Sequence, residues 1–158
     1  MGILEAKEYL KKWGRDKDVI EFNQSSATVE EAAKAANVEP ARIAKTLAFR
    51  DKENKAMLIV TAGDVKIDNA KFKKEFGFKA RMLSHEETFE FTGHPVGGVC
   101  PFGLKSDIPV YLDVSLKRFK TVFPACGSGN SAIELTCEEL ELYAKNQKWV
   151  DVCSKIAV

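Results

Sequence analysis

Three copies of one helix-start pattern constrain this chain more than any other feature: Thr28 with Glu31, Ser84 with Glu87, and Thr136 with Glu139. In each, the hydroxyl accepts from the N–H three residues on and the carboxylate returns to the N–H of the first residue, which fixes where a helix begins. The first is followed by Val29, Ala32, Ala33 and Ala36, a small-faced helix; the second runs toward Gly93; the third carries Leu135 and Leu140 as a hydrophobic staple. Between the first two the period changes. At residues 45–50 Leu47 and Phe49 alternate with polar or small neighbours, and residues 56–61 read as the partner strand. Helices with fixed starts and strands between them require a mixed fold.

The remaining elements fill in around these. Ile3, Ala6, Leu10 and Trp13 recur at helical spacing, with Gly14 as the stop. Residues 18–22 predict a short strand, Pro40 opens a very short helix, and Asp68 caps a helix that carries Phe72 and Phe76 and ends at Gly77. The second half predicts strands at 108–112, 121–125 and 132–135, a short helix capped by Asp113, and a last strand at 149–152. There is no internal repeat, low-complexity tract or linker. A chain of 158 residues, 45% apolar, closes one core and is short for two, so a single domain over 1–158 is expected.

Lys and Arg number 24 against 23 Asp and Glu, and a net charge of +1 excludes a protein that coats nucleic acid non-specifically. Any polynucleotide contact is local. Lys66, Lys71, Lys73, Lys74, Lys79 and Arg81 crowd one stretch, as a solvated face or as a basic lip for a phosphate backbone. Cys100, Cys126, Cys137 and Cys153 form no C-x-x-C pair and have no histidine at ligand spacing, so neither zinc nor a disulfide framework is expected. No apolar run approaches a membrane span and no signal pattern opens the chain, which predicts a cytoplasmic protein with reduced thiols.

Gly97, Gly98, Val99, Cys100, Pro101, Phe102 and Gly103 form the most unusual stretch. Three glycines and a proline give a loop whose main chain a ligand can approach, either to hold a substrate carbonyl or simply to connect strands tightly. Lys45 shares a strand face with Leu47 and Phe49, so its ammonium points coreward, where a phosphate would match it, unless the strand begins later and the amine snorkels. By the same alternation Thr46 faces away from such a pocket. Gly127, Ser128, Gly129 and Asn130 suit a hairpin turn between two strands, or a second pocket wall that offers backbone amides. His85 and His94 lie near no serine or cysteine in a triad motif, and Cys100 reads as a small buried thiol or as a thiolate nucleophile.

Four blocks carry a resemblance: residues 27–33 (Ala-Thr-Val-Glu-Glu-Ala-Ala), 40–47 (Pro-Ala-Arg-Ile-Ala-Lys-Thr-Leu), 97–103, and 110–113 (Val-Tyr-Leu-Asp). In this order and spacing the chain, from about residue 20 to 145, resembles the YbaK/ProX family of prolyl-tRNA-synthetase-associated editing domains. The resemblance implies an α+β domain with a curved, mixed, barrel-like sheet surrounded by helices. It implies a deacylase that removes a small amino acid, such as alanine or cysteine, from mischarged tRNA-Pro, with the aminoacyl-tRNA 3′ end and prolyl-tRNA synthetase as partners and no cofactor. The family lysine matches Lys45, expected to hold the 3′-end phosphate, and the G-x-x-x-P loop matches Gly97 to Pro101, with Gly97 and Gly98 gripping the carbonyl. Thr46, Val99, Cys100, Pro101, Gly127, Ser128, Gly129 and Asn130 complete the expected substrate contacts. A cysteine before the loop proline departs from the common family pattern. Two other readings stand beside this one: a module of the same fold that binds a tRNA end or a synthetase without catalysis, and a thiol hydrolase built on Cys100.

Overall fold

All three capping boxes form, each with both of its hydrogen bonds. They start helices α2 (Val29–Ala36), α4 (His85–Thr92) and α5 (Cys137–Ala144), in a computed structural model that describes residues 2–156. Helix α1 (Gly2–Leu10) runs on as a 3-10 turn to Trp13, and Gly14 closes it in the left-handed conformation. Asp68 caps α3 (Asn69–Phe76) through the Lys71 N–H, and Gly77 ends it. Leu135 and Leu140, the expected staple, are both fully buried.

The centre is a hairpin. Strand β2 (Ile43–Arg50) pairs antiparallel with β3 (Ala56–Ala62), with Lys45 opposite Thr61 and Thr46 opposite Val60. Its turn is held by Asp51, whose Oδ1 accepts from Glu53 N at 2.8 Å and Lys55 N at 2.9 Å. Every residue of β3 is buried, Thr61 included, as its apolar run from Ala56 to Val60 demands of a strand covered on both faces. Around it β5 (Val110–Asp113), β6 (Thr121–Pro124), β8 (Leu135–Thr136) and β9 (Trp149–Val150) complete a curled six-stranded sheet in the order β8-β6-β2-β3-β5-β9. The pairs β2/β6, β3/β5 and β5/β9 are parallel and the others antiparallel, so the sheet is mixed. Five α-helices among the described residues surround it, giving a single α+β domain.

Two small pairs seal the ends: β1 (Ile20–Glu21) with β7 (Ser131–Ala132), and β4 (Val65–Ile67) with β10 (Cys153–Lys155). The expected strand at 132–135 is therefore not one element. Its two ends pair with different partners, β7 with β1 and β8 with β6, and Ile133 turns into the core between them. Gly127 to Asn130 do lie between two strand segments that pair antiparallel, Val122 opposite Leu135 with Ile133 N donating to Pro124 O at 3.1 Å, but the connection is a long loop that includes β7 rather than a tight turn. At one end of the core Phe72 lies 5.2 Å from Phe49 and 4.8 Å from Phe76, ring centre to ring centre. These tilted contacts lock α3 onto the sheet.

Candidate active site

Six consecutive residues of β2, Ile43 through Ala48, border a cavity of about 280 Å³. Val29 and Ala32 of α2 form the facing wall, Phe123 of β6 and Ala125 just beyond that strand continue it, and Gly97 and Val99 close one side. Six of the lining residues are alanines, at 27, 32, 44, 48, 125 and 132, and side chains that stop at Cβ are what leave the space open. Met82, His85 and Val96 stand exposed at the mouth. None of the described lining residues is Asp, Glu or Cys.

Lys45 enters this wall half-buried, and its Nζ donates to the Val65 carbonyl at 2.6 Å. Burial pulls its pKa below the usual 10.5, opposed by the negative charges of Asp64 and Glu30. One of the three ammonium donors is thus engaged, and the others are available to an anion. Thr46 lines the cavity as well, contrary to the alternation argument. The cavity runs along the strand, so neighbours of either parity border it.

The glycine loop divides into two parts. Gly97, at φ +95°, borders the cavity in a left-handed conformation that a side chain strains, and a Cβ there would lie 2.9 Å from that of Ala27. The N–H groups of Gly97 and Val99 donate to no described backbone acceptor. Gly98 is different. Its N–H donates to Pro95 O at 2.9 Å, its carbonyl accepts from Gly127 N at 2.9 Å, and a Cβ would collide with the Gly127 and Ser128 backbone. Its polar groups are spent within the protein, which leaves no Gly98 N–H to offer a substrate carbonyl as the sequence had led one to expect.

Cys100 and Pro101 lie buried behind the cavity rather than on its wall. The Cys100 thiol is fully enclosed, and burial pushes its pKa up to about 12. Its Sγ is 3.6 Å from His94 Nε2, which sits 2.7 Å from the Phe102 carbonyl. A carbonyl only accepts, so Nε2 carries the proton and has no lone pair to activate a thiol. The thiol-hydrolase reading ends there.

Gly127, Ser128, Gly129 and Asn130 also stay off the cavity wall. They brace a neighbouring segment. Asn130 exchanges bonds with Phe22 (Phe22 N to Asn130 O, 2.7 Å; Asn130 Nδ2 to Phe22 O, 3.1 Å), and Gly129 O accepts from Ser26 N at 2.7 Å. Ser26 and Ala27, held this way, line the cavity. Ser26, Met82, His85, Phe123 and Ser131 all border it and were not expected there from the sequence, because only long-range pairing brings them to one wall.

The fold and this cavity can be set beside known proteins. A family model described as an aminoacyl-tRNA editing domain matches residues 23–142. The uncharacterized protein YwhH of Bacillus subtilis is 58% identical over 97% of this chain and 98% of its own. EbsC of Enterococcus faecalis, whose name proposes a Cys-tRNA(Pro)/Cys-tRNA(Cys) deacylase, is 27% identical over 94% of this chain and 85% of its own. The crystal structure of a proposed trans-editing enzyme for prolyl tRNA synthetase superposes with a TM-score of 0.86 at 29% identity, covering 99% of this chain and 98% of that one. The matched segment contains the helix α2 wall, β2 with Lys45, the Gly97 loop and β6, which is to say every wall of the cavity, and by it the chain belongs to the aminoacyl-tRNA editing domain family.

Proposed function

We propose that the cavity receives the aminoacyl end of a mischarged tRNA and that the chain hydrolyses its ester, with a small amino acid such as alanine or cysteine carried on tRNA-Pro as the target. One observation supports the reading: a small, largely apolar cavity borders both the Lys45 side chain and the Gly97 and Val99 peptides, whose N–H groups have no backbone acceptor among the described residues. An ammonium partly withdrawn from water is a point-charge partner for the 3′-end phosphate. Free peptide N–H groups are what a developing oxyanion requires.

The lining offers no carboxylate to serve as base. An aminoacyl ester is already activated, and its own ribose presents a vicinal 2′-hydroxyl. With the carbonyl held and polarised, water attacks it, the 2′-hydroxyl relays the proton, and the ester oxygen leaves on the ribose. Support for the small-substrate reading comes from EbsC, whose name specifies a cysteinyl ester. EbsC and the trans-editing enzyme motivate tRNA-Pro and prolyl-tRNA synthetase as partners.

The test is to incubate the purified protein with tRNA-Pro charged with alanine, cysteine, serine or proline and to follow ester loss. Hydrolysis of a small mischarged ester with prolyl-tRNA spared supports the reading. Protection of all four esters by binding, without turnover, turns it into the non-catalytic alternative.

A further inference from the structure

Among the described residues the Lys45 ammonium makes one hydrogen bond, to the neutral carbonyl of Val65 at 2.6 Å, although the residue before Val65 is an aspartate. Consecutive Cα atoms are about 3.8 Å apart, so the Asp64 carboxylate is within side-chain reach of that amine. It is turned elsewhere. Arg118, in the 3-10 turn Val114–Arg118 that follows β5, donates from Nη1 to Asp64 Oδ2 at 3.0 Å and from Nη2 to Oδ1 at 2.5 Å. Its Nε donates to Ser115 O at 2.8 Å, so all three guanidinium nitrogens are engaged and the plane of the fork is set. The backbone around Asp64 is held by other bonds. Ala62 N donates to Ser115 Oγ and Ile156 N to Asp64 O, each at 3.1 Å, and Gly63 packs so close to Pro40 that a Cβ would lie 2.1 Å from its carbonyl oxygen. What the fork adds is the direction of the carboxylate. The two side chains are 36% and 34% exposed, and pairs at such positions contribute little to stability.

Resting on the editing reading above, we propose that Arg118 is a positioning residue: by holding Asp64 it denies Lys45 an acidic partner and leaves the tRNA phosphate as the anion with which Lys45 pairs. A carbonyl fixes an ammonium without neutralising it, whereas a carboxylate on the same amine competes with phosphate for its charge. Asp64 is a standing competitor, because the Arg118 guanidinium holds its pKa below the usual carboxylate range and keeps it ionised. Lys155, opposite Val65 across β4 and β10, acts on Asp64 in the same sense. Lys45 feels the charge of Asp64 and, more weakly, that of Glu30. Glu30 is exposed in the first turn of α2, where the helix N–H groups stabilise it. Of the two acids, Asp64 alone adjoins the residue that carries the acceptor of Lys45.

The test measures kcat and KM in the wild type, Arg118→Gln, Asp64→Asn and the double variant, on whichever of the alanyl and cysteinyl esters of tRNA-Pro the wild type hydrolyses faster. Arg118→Gln is expected to raise KM about tenfold with kcat nearly unchanged, because phosphate must then displace Asp64 from a partly buried ion pair. Asp64→Asn alone keeps the wild-type KM or lowers it, and added to Arg118→Gln it restores it. Rescue by removal of a second charge is a result that a merely structural role for the fork does not give. A double variant as impaired as Arg118→Gln would mean that the fork holds backbone, an unchanged KM in Arg118→Gln that Asp64 does not compete, and a raised KM in Asp64→Asn that the carboxylate itself serves the substrate; each overturns the proposal. A wild type that hydrolyses neither ester defeats the editing reading instead. An NMR titration of the Lys45 Cε resonance then decides this proposal separately. A midpoint that rises in Arg118→Gln and returns to the wild-type value or below it in the double variant supports it, and a midpoint unmoved by Arg118→Gln overturns it.

Discussion

The carbonyl of Gly98 accepts the Gly127 N–H at 2.9 Å, so the two glycine-rich loops of this chain form one braced unit rather than two independent walls. A methyl group on Gly98 has nowhere to go, because it meets the backbone of Gly127 and Ser128, and backbone does not rotate aside. Gly98→Ala is therefore expected to destabilise the fold by about 1–3 kcal/mol through overpacking. Urea unfolding measures it, and a variant as stable as the wild type would show that the loops move apart freely.

Lys45 combines a structural bond with a site position. Removing the amine frees the Val65 carbonyl at the edge of the small β4 sheet but leaves the core untouched. Lys45→Ala is expected to retain its folded circular dichroism spectrum while deacylation falls on the order of 10²-fold or more, the scale of a misplaced substrate. Because burial holds the ammonium pKa below 10.5, phosphate anchoring should fail on the alkaline side earlier than for an exposed lysine. An NMR titration of the Lys45 Cε resonance, free of the base-catalysed loss of ester, reads this directly, and a midpoint at or above 10.5 contradicts it.

Cys100 should behave as core. Fully enclosed, with a pKa near 12, it presents neither thiolate nor access. Iodoacetamide at neutral pH is expected to leave Cys100 unmodified in the native protein and to label it on unfolding, as peptide mass mapping would show. Rapid native labelling of Cys100 with parallel loss of turnover would restore the nucleophile.

Much of this was legible in the residues for identifiable reasons. The capping boxes at Thr28, Ser84 and Thr136 are local chemistry within four residues, and so they survive intact in the fold. The hairpin of β2 and β3 is local too, closed by a five-residue turn that Asp51 ties together. What was not legible depends on distant partners. Strands β4 and β10 are three residues each and exist because Lys66 meets Ser154 from the far end of the chain. Lys45 and the Gly97 loop stood out by type, yet only the assembled cavity shows that Gly98 is spent internally and that an unremarkable serine at 26 belongs to the wall. Thr46 was misjudged because strand alternation presumes a pocket on one face, and this one runs along the strand.

His94 supplies a final, pH-dependent test of the packing behind the loop. The imidazole is fully buried, its Nε2–H is donated to the Phe102 carbonyl, and its Nδ1 has no hydrogen-bond partner among the described residues. Burial lowers its pKa below the usual 6.5, opposed by the Phe102 carbonyl and the charge of Glu5. In the unfolded chain the ring binds its proton at an ordinary pH, near 6.5. Between that value and the lower folded value the unfolded state carries more protons, so stability rises with pH there and is lost as pH falls through it. The wild type is thus expected to hold its stability above about pH 7 and to lose it progressively on acidification from 6.5, before most carboxylates titrate. Urea midpoints at pH 8, 7, 6 and 5 give the slope, and His94→Gln, which has nothing to protonate at that position, should flatten it. Equal slopes in the two proteins would mean that the imidazole gains its proton without opening the fold.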